Sequence, residues 1–464
     1  MASPHDRAVS STPSVARRVP LPRVWGVRAN DVTALLVANG VLIVAMWVRH
    51  GGPDLLATPG GAFTAAGEIT ALLGTYLSLI QLVLMGRSPW LDEAFGVDRL
   101  AWAHRWLGFA TVWLIAAHGV CTTVGYAIGD GSSIVDEAIT LLTTFPYVLW
   151  ATVGFGLFVM VAVSSVRAAR RRLSYETWFG LHLYAYLAIA LAFLHQLWTG
   201  ADFLHDQLAA AYWIGLYVLT AALVVVFRFG QPAWISIHHR LRVSAVIAEG
   251  RGVSSIYLSG RDLDQLAVRS GQYFVLRFLT RDLWWRGHPF SISAAPNGLW
   301  LRFTIKVLGD DTARFQAIAV GTRVFIEGPY GVMTGARRTR RAVTLIAGGI
   351  GIAPIRALIE SLPARPGELT LLFRASHLED LVFREELERL AARRGVRIHY
   401  VVGHRHGNPV VDPFDGPVIA RLVPRIATHD VYLCGPVGFM NAVEGHLREL
   451  GLPRRQLHAE RFAY

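Results

Sequence analysis

Four histidines lie inside two of the most apolar stretches of this 464-residue chain, His104 and His118 in one and His182 and His195 in the other. They are 14 and 13 residues apart. At about 1.5 Å per residue, each pair is separated by roughly 20 Å along a helix. Each helix therefore offers one imidazole near each face of a bilayer. A neutral imidazole is a suitable axial ligand for haem iron. Two such helices side by side can hold two stacked haems, one between His104 and His182 and one between His118 and His195. Two histidines per iron leave no open coordination position, which favours electron transfer over oxygen binding directly at iron. A histidine in a membrane span is costly, and four in this paired arrangement exceed what helix–helix hydrogen bonding requires. One spacing is awkward: fourteen residues return to within about 40° of the same helix face, but thirteen miss by about 140°. The second helix is expected to bend, or its imidazoles to reach round from different sides.

The composition fits a membrane setting. The chain is 53% hydrophobic and 17% charged, with a mean hydropathy of +0.38, unusual for a soluble enzyme. Charge-free runs long enough to act as spans cover Val32–Val48, Ile69–Gly86, Trp106–Gly129, Ala138–Val166, Thr177–Ala201 and Gln207–Phe227. The fourth is expected to begin late, at Pro146. Six spans make a bundle over residues 32–229, preceded by a polar tail, 1–31, with no signal-peptide apolar core. Arg17, Arg18, Arg23 and Arg28, then Arg87 and Arg99, then Arg167, Arg170, Arg171 and Arg172, and finally Arg228 fall on one side. The opposite loops carry Asp54, Asp130, Asp136, Glu137, Asp202 and Asp206, with Arg49 as their only arginine. The arginine bias places the N-terminus and everything after Phe229 in the cytoplasm. The net charge of +12 comes from arginine, Lys306 being the only lysine, and does not imply nucleic acid. Arg87, Arg105 and Arg172 suit haem propionates, although snorkelling explains them equally well. His50 and His205 read as surface residues. Cys121 and Cys434 fall in different domains, so no disulfide framework is present.

After a linker at Gly230–Ile237 the pattern changes to short alternating strands: Val243–Ala248, Ser254–Leu258, Tyr273–Phe278, Leu301–Val307 and Arg323–Glu327. They predict a small antiparallel β-barrel over residues 238–338. Two stretches stand out in it. One is His288-Pro289-Phe290-Ser291; the other is Lys306 to Thr312, where a helix begins and Gly309 and Thr312 offer donors suited to a pyrophosphate. From residue 339 strands and helices alternate, which implies a parallel sheet with ligands at the strand C-terminal ends. Strand Val343–Ala347 runs into Gly348-Gly349-Ile350-Gly351-Ile352-Ala353-Pro354, a glycine turn whose N–H groups can approach a phosphate. Further strands are read at Leu369–Phe373, Arg397–Val402 and Val431–Cys434, with a helix at Arg384–Arg394. Arg374, just past the second strand, suits a 2′-phosphate where an acid would favour a free ribose.

The histidine quartet, the His288–Ser291 element, the Gly348–Pro354 turn and Cys434-Gly435-Pro436 together resemble, in this order, the NADPH oxidase and ferric reductase superfamily, the bacterial NADPH oxidases in particular. The resemblance covers nearly the whole chain beyond its first 30 residues. It implies a multidomain membrane protein: an all-α six-helix di-haem bundle, then an FAD-binding β-barrel, then an α/β NADPH-binding domain at 339–464. By that resemblance His288, Pro289, Phe290 and Ser291 hold the flavin, with Lys306, Gly309 and Thr312 at its phosphates. Gly348, Gly349, Gly351 and Pro354 resemble the dinucleotide loop, and Cys434, Gly435 and Pro436 the segment beside the nicotinamide ring, Cys434 being counted as catalytic. The tail resembles the family's aromatic lid over the flavin, with Phe462 first and Tyr464 second as the covering ring. Arg374, helped by Arg405, favours NADPH, NADH remaining possible. The implied cofactors are FAD, two b-type haems and NADPH, in a bacterial plasma membrane.

Electron bookkeeping supports that order. Nicotinamide delivers two electrons as hydride, haem accepts one, and flavin converts between them. The acceptor on the far side is oxygen, giving superoxide, or a ferric or cupric chelate. Short outer loops without an evident metal-ligand cluster tilt the reading towards oxygen. A haem-binding sensor or electron-transfer subunit, and a flavin reductase with a mere membrane anchor, are the alternatives from other classes.

Overall fold

The computed structural model describes residues 27–200, 204, 206–404 and 413–461, which fall into two compact units divided between Arg228 and Phe229. Phe462, Tyr464, Arg405 and His205, and all but the last residues of the N-terminal tail, lie outside the described residues.

The first unit is built from six long helices: α1 Ala29–Arg49, α2 Pro59–Leu84, α3 Val97–Asp130, α4 Val148–Ser165, α5 Tyr175–Thr199 and α6 Gln207–Val224. Each lies in a stretch long and apolar enough to cross a bilayer. Two run past the charge-free segments that announce them, beginning at Pro59 and Val97 instead of Ile69 and Trp106. Charge did not stop α2, because the Glu68 carboxylate accepts a hydrogen bond from Trp47 Nε1 at 2.9 Å. The apolar run Ala138–Val166 is two helices. Ile134–Thr144 is capped by Ser133, whose hydroxyl accepts the Asp136 N–H at 3.1 Å. Pro146, lacking an N–H, interrupts the chain before α4 begins at Val148.

Helices α2 and α3 pack closely through small residues spaced by sevens. A Cβ at Gly67 would meet Thr122 Oγ1 at 2.5 Å, one at Gly60 the Gly125 carbonyl oxygen at 3.0 Å, and one at Gly74 Ile115 Cγ1 at 3.0 Å. Such seams let backbones approach where lipid supplies no hydrophobic drive. Helix α5 packs chiefly on α4, and α3 and α5 make few direct backbone approaches.

The second unit opens with a correction. Gly230–Ile237 is not a linker: Gln231–His239 is a helix, α7, with Pro232 in its first turn, where a missing N–H costs nothing, and Ile235 and His239 buried. Ser236 Oγ fastens it to the Ile326 backbone at 2.9 Å and 3.1 Å. Two three-stranded antiparallel sheets follow, β1 (Arg242–Gly250)–β2 (Val253–Ser259)–β5 (Trp300–Lys306) and β4 (His288–Ser291)–β3 (Tyr273–Phe278)–β6 (Val324–Tyr330). They close on a core that includes Phe274, Phe278, Ile292, Phe303 and Phe315.

The third layer is a five-stranded parallel sheet, ordered β11 (Leu457–Ala459), β10 (Asp430–Cys434), β7 (Val343–Gly348), β8 (Leu369–Ala375), β9 (Arg397–Val402). Helices α8 (Ile352–Ser361), α9 (Arg384–Arg394), α10 (Gly416–Leu422) and α11 (Val437–Glu449) connect or cover the strands. The central strands β7, β8 and β10 are apolar almost throughout, as strands covered on both faces must be.

Candidate functional site

The four membrane histidines meet in two pairs. The ring centroids of His104 and His182 are 5.8 Å apart, and those of His118 and His195 are 6.4 Å apart. A first-row metal–imidazole bond is about 2 Å. Adding about 1 Å from nitrogen to ring centre on each side, two imidazoles sharing one such ion have centroids about 6 Å apart. Both pairs fit that separation, each with one imidazole from α3 and one from α5. The 13-residue spacing is accommodated without a break in α5. Its two imidazoles have different neighbours: His182 has Ser165 Oγ of α4 at 3.4 Å and the Trp178 ring at 5.1 Å, and His195 has Thr199 Oγ1 at 2.8 Å.

In the barrel, β4 pairs with β3 so that Ser291 lies opposite Tyr273. Ser291 Oγ is buried and has no hydrogen-bond partner among the described residues. A buried hydroxyl without a partner is costly, and this one suits a heteroatom of a flavin ring. The His288 ring stacks on Phe290 at 6.3 Å, meets the edge of Phe315 at 5.0 Å, and lies 3.3 Å from Asp311 Oδ2. Burial lowers the His288 pKa, partly opposed by Asp311. Pro289 takes its place in the ladder opposite Val275.

The expected phosphate donors are spent on one another. Thr312 Oγ1 accepts from the Leu308 and Gly309 N–H groups at 2.8 and 3.0 Å and donates to the Gly309 carbonyl at 2.8 Å, capping a helix of five residues. Lys306 shares a small hollow with Gly349 and Ile350, its Nζ 4.0 Å from Asp380 Oδ1. That places the only lysine beside the glycine turn of the parallel sheet.

The turn itself is tightly determined. Gly349 has φ +53°, a conformation side chains rarely adopt. A Cβ at Gly351 would lie 2.3 Å from the Cys434 carbonyl oxygen, and one at Gly348 would lie 2.6 Å from the Phe439 ring. A Cβ at Gly435 would lie 3.2 Å from Gly348 Cα, Pro436 is the N-cap of α11, and Pro354 sits in the first turn of α8. The ends of β7 and β10 thus form one cleft from Gly348–Gly351 and Cys434–Pro436. Gly351→Ala is expected to raise the KM for the nicotinamide nucleotide at least tenfold while leaving flavin content unchanged, because backbone cannot yield to the added methyl; steady-state kinetics and flavin absorbance check it. Cys434 is 1% exposed, and burial pushes its thiol pKa far up, the Glu460 carboxylate adding to the effect. It therefore offers a small thiol rather than a thiolate. Arg374, opposite Gly348 in the β7–β8 ladder, donates through Nη1 to the Ala375 carbonyl at 2.5 Å.

The sequence reading missed a buried ionic junction between barrel and sheet. Arg302 of β5 donates to the Ser293 carbonyl at 2.7 Å and to Glu386 Oε2 of α9 at 3.1 Å. Arg356 of α8 reaches Glu386 Oε1 at 2.5 Å and also pairs with Glu360. The only available signal was a lone arginine inside the apolar strand Trp300–Lys306.

Comparison with known families agrees with this layout. Residues 70–193 match the ferric reductase-like transmembrane component, 242–334 an FAD-binding domain, and 345–445 the oxidoreductase NAD-binding domain. The chain is 27% identical over 285 residues to the toluate 1,2-dioxygenase electron transfer component of Pseudomonas putida, covering 57% of this chain and 82% of that protein. It is 30% identical over 233 residues to a flavohemoprotein of Pseudomonas aeruginosa, covering 48% of this chain and 58% of that protein. Among solved structures it is similar to the flavohem-like FAD/NAD-binding domain of nitric oxide dioxygenase from Vibrio cholerae, with 23% identity and a TM-score of 0.39 over 48% of this chain and 99% of that one. The protein is an NAD(P)H-dependent oxidoreductase with an integral membrane domain. A ferric reductase-like membrane component followed by FAD- and NAD-binding domains is the architecture of the NADPH oxidase and ferric reductase superfamily.

Proposed function

We propose that the protein carries electrons from cytoplasmic NADPH across a bacterial plasma membrane to oxygen on the outer side, giving superoxide. The observation that carries this reading is the pairing of four membrane histidines at two depths, each pair spaced for one iron. The arginine distribution orients it, with His104/His182 as the inner pair and His118/His195 as the outer. When bound, flavin takes two electrons as hydride and releases them singly, and bis-histidine haem passes them on one at a time. The chain supplies position and insulation. Ser291 Oγ orients the flavin ring, with Phe290 and His288 packed beside it. The Gly348–Gly351 turn brings backbone N–H groups to the dinucleotide phosphates, and the Glu386 junction keeps barrel and sheet in register for hydride transfer. Phe462 is proposed to cover the flavin until nicotinamide displaces it.

Arg374 reads the 2′-phosphate. Arg374→Ala is expected to raise the KM for NADPH roughly tenfold, the loss of one charge-assisted hydrogen bond, with NADH affected less than twofold. An unchanged ratio means the phosphate is read elsewhere.

Oxygen is favoured over a ferric chelate by the slight connection between α1 and α2, a short turn of helix at Gly52–Ala57, which offers little to hold a chelate. The deciding experiment supplies NADPH to one face of reconstituted protein and measures superoxide and ferrous iron in parallel at the other. Ferrous iron without superoxide reassigns the protein as a ferric reductase; neither product, with haem absent from the spectrum, ends the transmembrane reading.

A further inference from the structure

Helix α7 follows the last membrane helix without a loop. The backbone is helical from Gln207 to His239, through α6, a π-helical segment at Val225–Gly230 and then α7. At about 1.5 Å per residue, Trp234 lies roughly 40 Å along this helix from Gln207, about the thickness of a bilayer with its headgroups. Exposed apolar side chains recur along it: Val218, Val225 and Phe229, then Trp234 and Ile237 in α7 itself. The two faces of α7 differ. Pro232, Ile235 and His239 are buried on one, where Ile235 joins the barrel core. Trp234 and Ile237, three residues apart on the other, are 61% and 67% exposed. The indole of Trp234 lies parallel to the His238 ring at 4.9 Å. Exposed arginines gather at the end of α7. Arg240 is its C-cap, the Arg261 N–H donates to the His239 carbonyl at 2.7 Å, and Arg242 and Arg323 face each other across a β-bridge. Asp262 offsets part of this charge, its Oδ2 3.8 Å from His238 Nε2.

We propose that the open face of α7, with the arginines at its end, is a docking surface for anionic lipid headgroups. The occupant follows from continuity. The same run of exposed apolar side chains meets hydrocarbon in the membrane helix, and it carries on to the depth where tryptophan sits at a bilayer surface. A helix with one apolar face and basic residues beside it lies at the headgroup boundary and is drawn to anionic lipid. The arginines need not enter the bilayer, since an anionic surface acts over a Debye length of about 8 Å at physiological salt. A second copy of the chain is a poorer occupant. Two side chains fall far short of the roughly 800 Å² per partner that a stable protein interface buries, whereas lipid is already held close by the preceding span. The proposal goes beyond the proposed function and uses none of its haem or acceptor chemistry, only the membrane crossing of α6.

The test uses full-length protein in nanodiscs of phosphatidylcholine, alone or mixed with phosphatidylglycerol. A nitroxide is attached at Trp234→Cys or Ile237→Cys, and its collisions with oxygen, which partitions into lipid, are compared with those with a water-soluble nickel chelate. Labelled wild type supplies the background from Cys121 and Cys434, and Leu378→Cys, at an exposed site on the parallel-sheet layer, is the aqueous reference. Flavin absorbance confirms folding, and either α7 variant suffices if the other misfolds. The oxygen-to-nickel ratio at α7 is expected to exceed the reference several-fold. It is expected to rise further with phosphatidylglycerol, and to lose that rise in high salt or when Arg240, Arg242 and Arg323 are all changed to Ser. A ratio equal to the reference in both lipids overturns the proposal, as does exclusion of both collision partners, which means protein covers this face. A high ratio indifferent to phosphatidylglycerol overturns the anionic preference. Wild-type protein without a Soret band overturns the proposed function and leaves this result untouched.

Discussion

Alanine at His118 or at His195 is expected to halve the haem content and abolish electron delivery to the outer face, while reduction of artificial acceptors by NADPH at the cytoplasmic domain continues at close to the wild-type rate. On the proposed reading each iron would depend on one histidine from α3 and one from α5, and among the described residues the recorded neighbours of these rings, paired 5.8 and 6.4 Å apart, are Trp178, Thr122 and Thr199 rather than a further imidazole. Loss of one ligand leaves a coordination position that a threonine hydroxyl fills poorly. The barrel and parallel sheet form a separate compact unit, so their chemistry survives. A pyridine haemochrome assay gives the stoichiometry, and parallel ferricyanide and superoxide assays separate the two activities. Full haem content in either variant contradicts the ligand assignment.

Glu386→Gln is expected to destabilise the cytoplasmic unit by about 3 kcal/mol and to slow NADPH oxidation tenfold or more. Arg302 and Arg356 side chains are 5% and 7% exposed and converge on this one carboxylate. Removing its charge takes from Arg302 the carboxylate it faces and leaves Arg356 with Glu360 alone, a far larger loss than that of a surface pair. Burial alone would raise the Glu386 pKa, but Arg302 and Arg356 outweigh it and hold the value below the usual carboxylate range. A group depressed in the folded state stabilises at pH above its unfolded value, about 4.3 for glutamate, and loses that contribution as pH falls through the folded value. Wild-type protein should therefore show an acid-side drop in stability that Glu386→Gln lacks. The kinetic effect has a separate cause. Hydride transfer requires the flavin on the barrel and the nicotinamide on the sheet to meet within a fraction of an ångström, and a displacement of about 1 Å can cost on the order of a hundredfold. Thermal unfolding followed by flavin fluorescence, across pH, together with stopped-flow flavin reduction, checks both parts.

Much of this was legible in the residues because the signals were periodic or chemically unusual. Imidazoles in apolar stretches, a change of hydrophobic period after Phe229, and a glycine turn between strand and helix each have few physical explanations. Five of the six barrel strands followed from alternation, β4 at His288–Ser291 having been singled out without being read as a strand, and β7 to β10 from apolar runs bounded by turns. What escaped depended on partners distant in sequence. Glu68 inside α2 accepts a hydrogen bond from Trp47, on another helix. Gln231–His239 read as a linker because its helical face packs on β6, not on anything nearby. The hydrogen bonds that Thr312 makes within its own turn could not be read from the sequence. The Arg302–Glu386–Arg356 junction joins positions up to 84 residues apart, which no local pattern announces. Phe462, singled out by resemblance, lies outside the described residues.

The glycine seam between α2 and α3 bears on how the molecule is made. These two helices are consecutive, and their closest contacts run through Gly60, Gly67 and Gly74. Chains are synthesised from the N-terminus at roughly 5–20 residues per second, so the hairpin can zip together several seconds before α5 emerges from the ribosome. One wall of each prosthetic-group cradle, with His118 already bonded to Gly67, then stands ready ahead of its opposite wall. On the proposed reading porphyrin capture would await the arrival of His182 and His195, which would make insertion of the fifth span the step at which a nascent polypeptide commits to becoming a pigment.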